Sequence, residues 1–240
     1  MPDYIKSLME KNLRRIKMTH TYKELSNFFE MRLELLAKKL NYSKSNILVL
    51  EGNEEELKNL YPDVYANILS CIHNRDGRSP MEYARDLVSS WIFEDYMVQK
   101  FHSLGYNLYL SGKDKERVIL PNSKVGSDSD VIFKYDNHEL NIEIMNDYSN
   151  YWERYNTLDL RDNKFDKLLQ TNSVLLAVSL INRTYSLIPI NEELEYRYIP
   201  YHKPYGGKPA YQINLKDIKF YNFKIDDIIE NLKDIIKRKK

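Results

Sequence analysis

The chain has 240 residues, of which 42% are hydrophobic and 30% charged, a composition typical of one large globular domain or of a domain with an appendage. Lysine and arginine number 36 against 35 for aspartate and glutamate, so the formal net charge of +1 does not indicate a nucleic-acid partner, and any basic surface must come from local segregation of charge. The single cysteine excludes an intrachain disulfide and a multi-cysteine zinc site. No apolar run approaches the ~20 residues of a membrane helix, and the N-terminus is charged. These two features predict an intracellular protein that does not associate with membranes.

The first region, residues 1–78, is predicted to be mainly helical. Thr21 and Glu24 have capping-box spacing, and apolar residues follow them at helical intervals. Residues 47–50 form a short apolar run that fits a strand. The region contains no evident catalytic constellation, and its apolar stripes are typical of a core.

The second region, residues 79–190, begins with a strong helix signal. Ser79 fits the N-cap, the next residue is proline, and Glu82 completes a capping box, while Gly105 fits the end of the helix. Glu94 falls on the apolar stripe of this helix, and a carboxylate on a buried face needs a cation, a metal or a hydrogen-bond partner. An ion pair with an Arg or Lys at the helix edge and a place in a functional site are both compatible with this position.

Strands and one more helix follow. The clearest feature is a hairpin, in which a run at 131–133 and an alternating run at 140–145 flank a polar turn. The other predicted elements are strands at 106–110 and 118–120, a helix at 157–170, and strands at 174–181 and 184–190.

Two carboxylates stand on the predicted hairpin. Asp130 lies at the start of its first strand and Glu143 lies within its second strand. Antiparallel strands bring such groups close enough to hold one divalent metal ion. Asp128 competes with Asp130, but an Asp and Ser-rich stretch is also common turn chemistry, and we prefer Asp130 because it directly adjoins the strand.

The run Ser-Asp-Ser-Asp130-Val-Ile-Phe, followed 13 residues later by the run around Glu143, resembles the PD-(D/E)XK nuclease superfamily, which includes restriction endonucleases and archaeal Holliday-junction resolvases. The resemblance covers about half of the chain and includes the order of elements. It implies an α/β fold with a restriction endonuclease-like core, a central mixed β-sheet flanked by helices, next to an N-terminal helical region. It further implies that Asp130, Glu143 and the carbonyl of Ile144 bind Mg²⁺, with Mn²⁺ as a substitute, and that Glu94 is the extra acid that some members carry on the first helix.

One position departs from the family pattern. The family places a lysine two residues after the glutamate, where this chain has Met145, and a thioether neither donates a hydrogen bond nor carries charge. Some members place this lysine on the following helix, which makes Lys164 the natural candidate and Lys167 and Arg161 weaker ones. The alternative is a site that has lost catalysis.

The third region, residues 191–240, is predicted to be an extension with a loop at 201–211, an amphipathic helix and a basic tail. The loop interleaves aromatic and basic residues, which suits contact with phosphates and stacking on bases. A solvated C-terminus explains the tail equally well. The predicted nucleic-acid contacts are Lys203, Tyr205 and Lys208 in the loop, and Lys113 and Lys115 in a charged turn.

These observations favour a Mg²⁺-dependent DNA endonuclease, of the restriction or junction-resolving type, that forms a homodimer because both strands of a duplex must be cut. Two alternatives remain: a nuclease-like fold with a degraded centre that binds DNA or a protein, and an interaction domain whose acids are ordinary surface groups. A fold alone does not choose between them, because function depends on the site. The first hypothesis predicts that the ammonium of Lys164 points at the carboxylates of Asp130 and Glu143.

Overall fold

The central feature of the protein is a six-stranded mixed sheet flanked by helices. The computed structural model describes residues 19–71, 78–112, 115–121 and 129–238. The strands are β1 (Asn107–Leu110), β2 (Val131–Tyr135), β3 (His138–Asp147), β4 (Thr157–Arg161), β5 (Val174–Ser179), β6 (Thr184–Pro189), β7 (Arg197–His202), β8 (Lys208–Asn214) and β9 (Tyr221–Asn222). The main sheet has the order β1-β2-β3-β5-β6-β9, and among its described pairs β3 with β5 is parallel and the others are antiparallel.

Helices cover both faces of this sheet. They are α1 (His20–Phe29), α2 (Leu33–Lys39), α3 (Lys44–Glu51), α4 (Glu54–Leu60), α5 (Pro62–Leu69), α6 (Pro80–Ser103), α7 (Tyr151–Tyr155), α8 (Asp162–Gln170) and α9 (Ile225–Arg238). The N-terminal helices, α6 and α9 share one hydrophobic cluster with one face of the sheet, which we call the helical-side cluster. Helix α8 and a small antiparallel sheet, in the order β4-β8-β7, share a second cluster with the other face, which we call the hairpin-side cluster.

The alternation along β3 divides its side chains between the two clusters. Leu140, Ile142 and Ile144 pack in the helical-side cluster, whereas Met145 packs in the hairpin-side cluster. Because successive residues of a strand point to opposite faces, Glu143 lies on the same face as Met145. Strand β5 is buried along its whole length, as expected for a strand covered on both faces.

Helix α6 confirms the predicted start. The hydroxyl of Ser79 accepts the backbone N–H of Glu82 at 3.2 Å, and the carboxylate of Glu82 accepts the N–H of Ser79 at 2.8 Å. Gly105 follows the end of the helix with a φ of 81°, in the left-handed region that glycine adopts without strain.

Several predicted elements were wrong. Residues 47–50 lie in α3, because a short apolar run suits a buried helix as well as a strand. Residues 118–120 do not form a strand. The segment 157–170 begins as β4, since its first residues alternate with a period of two, and becomes helical as α8. The segment 201–211 is not an open loop but the turn of the β7–β8 hairpin.

The three predicted regions describe chain order rather than separate cores. Helices α1–α5 of the first region and α9 of the third contribute to the helical-side cluster together with the second region. Strand β8 of the third region also pairs with β4. Within the described ranges, none of the helices combines the length and the apolar character needed to cross a membrane.

We expect the capping box of α6 to contribute to stability. Replacing Ser79 with alanine should lower the free energy of unfolding by about 1 kcal/mol, because one backbone N–H at the start of the helix loses its acceptor. Urea denaturation measures this change. Ser103→Ala, at the opposite end of α6, is the control, since its exposed hydroxyl only donates to the carbonyl of Lys100; equal losses in both variants would contradict the prediction.

Candidate functional site

Asp130 and Glu143 lie on neighbouring strands, as the hairpin predicts. Val131 pairs with Ile142 in the antiparallel β2–β3 register. The next positions, Asp130 and Glu143, therefore lie opposite each other on the two strands. The Oδ2 of Asp130 accepts the backbone N–H of Ile144 at 2.7 Å. Its own carbonyl accepts the N–H of Ser111 at 2.8 Å. The strands on both sides therefore hold Asp130 in place.

Lys164 reaches this pair from the opposite element. It is the third residue of α8, and its Nζ lies 2.7 Å from Oε2 of Glu143. The contact is an ion pair between the ammonium and the carboxylate. Both side chains are largely buried, with 20% of Lys164 and 13% of Glu143 exposed. The predicted proximity of Lys164 and Glu143 is confirmed, while the chemical roles of these residues stay predictions.

The pair of carboxylates carries electrostatic strain. Burial raises the pKa of Glu143 well above its ordinary value, the charge of Asp130 raises it further, and the ammonium of Lys164 opposes both effects. The ammonium of Lys164 lies beside Glu143, and the carboxylate of Asp130 adds negative charge to this poorly solvated place. Such a place attracts a cation or holds a proton.

Met145, where the resemblance implies a lysine, is partly buried in an apolar environment. Its side chain packs in the hairpin-side cluster, which also contains Phe165 of α8. A charged group there would have to be desolvated among apolar side chains. Lys164, next to Phe165 in the sequence, places a cation beside Glu143 from helix α8.

The structure does not bring Glu94 together with Glu143 and Lys164. Oε2 of Glu94 lies 2.8 Å from the guanidinium of Arg117, which also binds Asp95 at 2.8 Å. Glu94 lines a cavity with Ile144, on the face of β3 opposite Glu143. The ion-pair interpretation of Glu94 therefore accounts for its burial, and its position on the other side of the sheet argues against a role as the extra acid.

The donor set fits a hard divalent cation in chemistry but is small. Asp130, Glu143 and the carbonyl of Ile144 offer oxygen ligands. Burial, followed by the neighbouring charge of Asp130, raises the pKa of Glu143, and a bound cation would favour the charged form of this carboxylate. Among the described residues, no group of three or more His, Cys, Asp or Glu side chains is placed to hold a metal. Asp128 lies outside the described residues.

The residues predicted to contact nucleic acid differ in how exposed their side chains are. Lys203, Lys208 and Lys115 are exposed, as a phosphate contact requires, and Lys113 lies outside the described residues. Tyr205 is partly buried: its hydroxyl donates to the carbonyl of Asp159 at 2.7 Å, and the guanidinium of Arg161 lies over its ring, so its role in stacking on bases stays a prediction. Tyr201 is more open, with 72% of its surface exposed, and the sequence pattern alone does not distinguish the burial of these two tyrosines.

Sequence reasoning missed a buried polar network at the start of α8. Asp159 is 3% exposed, and its Oδ2 accepts hydrogen bonds from Nε2 of His202 at 2.8 Å and from the hydroxyl of Tyr151 at 2.9 Å. Its Oδ1 accepts the hydroxyl of Thr157 at 2.9 Å. These bonds join α7, β4 and β7 three residues before α8 begins, so they help to set where Lys164 stands. The sequence signal that could have revealed this network is Asp159 itself, an acidic residue within the alternating run of β4.

No model of a known protein family matches the chain, and no curated protein matches it. The candidate site therefore has to be judged by its own geometry and charge.

The raised pKa of Glu143 predicts a pH dependence of stability. The folded chain keeps this proton to higher pH than the unfolded chain, so stability falls as pH rises from the ordinary value of 4.5 toward the raised pKa. We expect the free energy of unfolding of the wild type to fall in this window with a slope of up to about 1.4 kcal/mol per pH unit, and Glu143→Gln to remove that slope.

Urea denaturation at a series of pH values in the absence of divalent metal measures this effect. The control is Glu139→Gln, on the same strand but with 53% of its side chain exposed, which should keep the wild-type slope. A slope that survives in Glu143→Gln would contradict the assignment of the proton to Glu143.

Proposed function

We propose that the protein is a metal-dependent DNA endonuclease that hydrolyses phosphodiester bonds, of the restriction or junction-resolving type. The observation that carries the proposal is the 2.7 Å contact between the ammonium of Lys164 and Glu143, beside Asp130. The cation that Met145 does not supply comes from the neighbouring helix, and carboxylates and cation meet at one end of the hairpin.

The residues of the site divide the chemistry among themselves. Asp130 and Glu143, with the carbonyl of Ile144, would hold Mg²⁺ or Mn²⁺, which when bound neutralises charge on the phosphate and makes a water more acidic. Lys164 offers a fixed positive charge where negative charge develops on the phosphate oxygens. Glu143 must release its proton to bind a metal, so metal affinity should rise with pH.

Local charge supports DNA as the substrate although the chain is close to neutral overall. Lys203, Lys208 and Lys115 are exposed and able to approach phosphates, and Tyr201 offers an open ring on the hairpin that carries Lys203 and Lys208. A homodimer would place two such sites on the two strands of a duplex or a junction.

A second candidate function is a nuclease-like protein that binds DNA or a protein partner without cutting. It is favoured by Met145, which packs with apolar side chains, and by Glu94, which is paired with Arg117 instead of joining Asp130 and Glu143. The two candidates differ in DNA cleavage: the first predicts cleavage that is lost when Asp130 or Glu143 is replaced, and the second predicts binding without cleavage.

The first test is cleavage of a plasmid and of a four-way junction in the presence of Mg²⁺ or Mn²⁺. Asp130→Asn, Glu143→Gln and Lys164→Met should each lower the cleavage rate by about 100-fold or more, because each removes a metal ligand or the only cation placed at Glu143 in the described structure. Removal of the metal with EDTA should abolish cleavage.

The matched control is Lys134→Met, a lysine on β2 that pairs with exposed Glu139 at 3.7 Å. It should keep the wild-type rate. Cleavage that persists in Asp130→Asn and Glu143→Gln would refute the catalytic assignment, and tight DNA binding with no cleavage in the wild type would favour the second candidate.

The second test concerns the DNA-binding surface. Lys203→Ala and Lys208→Ala should each reduce the slope of log affinity against log salt by about 1, because each removes one phosphate contact. Fluorescence anisotropy at several salt concentrations measures this slope. Lys39→Ala, an exposed lysine on α2, is the control, and a slope reduced equally in this variant would contradict a specific role for the hairpin.

A further inference from the structure

A cavity of about 390 Å³ opens between the α1–α2 corner, α6 and the turn that joins β5 to β6. Its volume lies within the range of small-molecule sites, about 300–1,000 Å³. Among the described residues, its lining does not include Asp130, Glu143 or Lys164. A ligand bound there would therefore add a function that is separate from the proposed cleavage.

The walls of this cavity are mainly aromatic. The apolar side chains that line it are Phe28, Phe29, Tyr96, Phe223, Met31 and Leu36. The ring of Phe28 packs edge-to-face against Phe29, with 5.4 Å between the ring centres, and against Phe223 at 5.0 Å. Tyr96 packs against Phe29 at 4.8 Å. Rings that hold one another in this way form a wall on which a further aromatic ring packs favourably.

The lining also carries one positive and one negative side chain. Arg183 comes from the β5–β6 turn, and Glu30 directly follows α1. Nη2 of Arg183 lies 3.0 Å from Oε1 of Glu30, and the guanidinium lies over the ring of Phe28, 5.6 Å from its centre. The side chains of Arg183 and Glu30 are 52% and 76% exposed, so both charges are open to an incoming ligand at a wall of the cavity.

This ion pair keeps unused capacity for hydrogen bonds. Both hydrogen bonds of Arg183 come from Nη2, one to the carbonyl of Asn27 and one to Glu30, each at 3.0 Å. Within the described ranges, Nη1 and Nε of Arg183 and Oε2 of Glu30 have no hydrogen-bond partner. A guanidinium has five N–H donors, and a carboxylate accepts on both oxygens. A ligand can therefore bind both charges without breaking the pair.

The backbone at both charged residues is of an uncommon kind. Glu30 has a φ of 53° and Arg183 a φ of 52°, in the left-handed region that glycine and asparagine adopt most easily. Both positions nevertheless carry long charged side chains. Residues held in this region against their preference are found disproportionately at ligand-binding sites.

We propose that this cavity binds a free aromatic α-amino acid, with the ring against the aromatic wall, the carboxylate at Arg183 and the ammonium at Glu30. The charges of the lining favour this class of ligand. A simple carboxylate would meet the like charge of Glu30, and a simple amine would meet that of Arg183, whereas an amino acid presents both charges on one carbon. A residue inside a peptide carries neither charge, so the ligand is the free amino acid.

The first test is the binding of L-phenylalanine to the full chain, measured by calorimetry or by NMR titration. It should bind at least about tenfold more tightly than 3-phenylpropanoate, which lacks the ammonium, and than phenethylamine, which lacks the carboxylate, because each analogue loses one charge-assisted hydrogen bond. Glycine, which has both charges but no ring, should not bind at millimolar concentration. Equal affinities for the three aromatic compounds, or no binding of phenylalanine at millimolar concentration, would overturn the proposal.

Variants of the ion pair test the two charges separately. Arg183→Gln should abolish the preference for phenylalanine over phenethylamine and keep the preference over 3-phenylpropanoate, and Glu30→Gln should do the reverse, because each removes one charge. Glu139→Gln, from the exposed ion pair with Lys134, is the matched control and should bind phenylalanine like the wild type.

The pattern of these effects separates binding from a structural role. An ion pair that only holds the α1–α2 corner would weaken all three aromatic compounds alike in both variants, and this outcome would overturn the assignment. Arg183 also bonds to the carbonyl of Asn27 near the end of α1. If Arg183→Gln does not fold, Glu30→Gln and the comparison of ligands with the wild type decide.

These measurements need neither metal nor DNA, so their outcome is independent of the proposed function. A protein that binds phenylalanine with this selectivity but does not cut DNA would refute the proposed function and leave this site standing. A protein that cuts DNA but does not distinguish phenylalanine from its analogues would overturn this site alone.

Discussion

The parallel pairing of β3 with β5 is the constraint on which the candidate site depends. Parallel neighbours cannot be joined by a tight turn, so the chain must cross over a face of the sheet between them. In this protein the crossover contains α7, β4 and α8, and it covers the face that carries Glu143. Lys164 stands in the first turn of α8, at the point where the crossover returns over the carboxylates. The ion pair is thus a consequence of sheet topology.

The β3 strand separates two polar environments. On one face Glu143 and Lys164 form a buried ion pair beside Asp130, and on the other Asn146 lines a cavity with Asp86 and Glu94. The period of two in the strand makes this division unavoidable, because residues one step apart point in opposite directions. It explains why a single short run of sequence contributes to the proposed cleavage site on one face and to this cavity on the other, and why Glu94 lines the cavity and does not join Glu143.

Polar contacts outside the site hold the crossover in place. Asp147, at the end of β3, accepts the backbone N–H groups of Ser149, Tyr151 and Trp152, which fixes the turn into α7. Asp159 then joins Tyr151 to His202 from within β4. Buried carboxylates with complete sets of donors make rigid junctions. The position of Lys164 therefore depends on residues of the β7–β8 hairpin, which the sequence assigned to an extension.

The sequence by itself determined the elements whose signals are local: the capping box of α6, the alternation that defines the β2–β3 hairpin, the buried run of β5, and the amphipathic helix α9. It also singled out Asp130 and Glu143 through the spacing of the hairpin, whereas Lys164 was expected only from the resemblance to the nuclease superfamily. The tertiary structure alone decided that Glu94 pairs with Arg117, that Tyr205 is held by Asp159 while Tyr201 is open, and that Asp86 and Asn146 meet at one cavity. These contacts join residues far apart in the chain, and the direction in which a side chain faces at such a distance depends on how the sheet and helices pack, which no local pattern encodes.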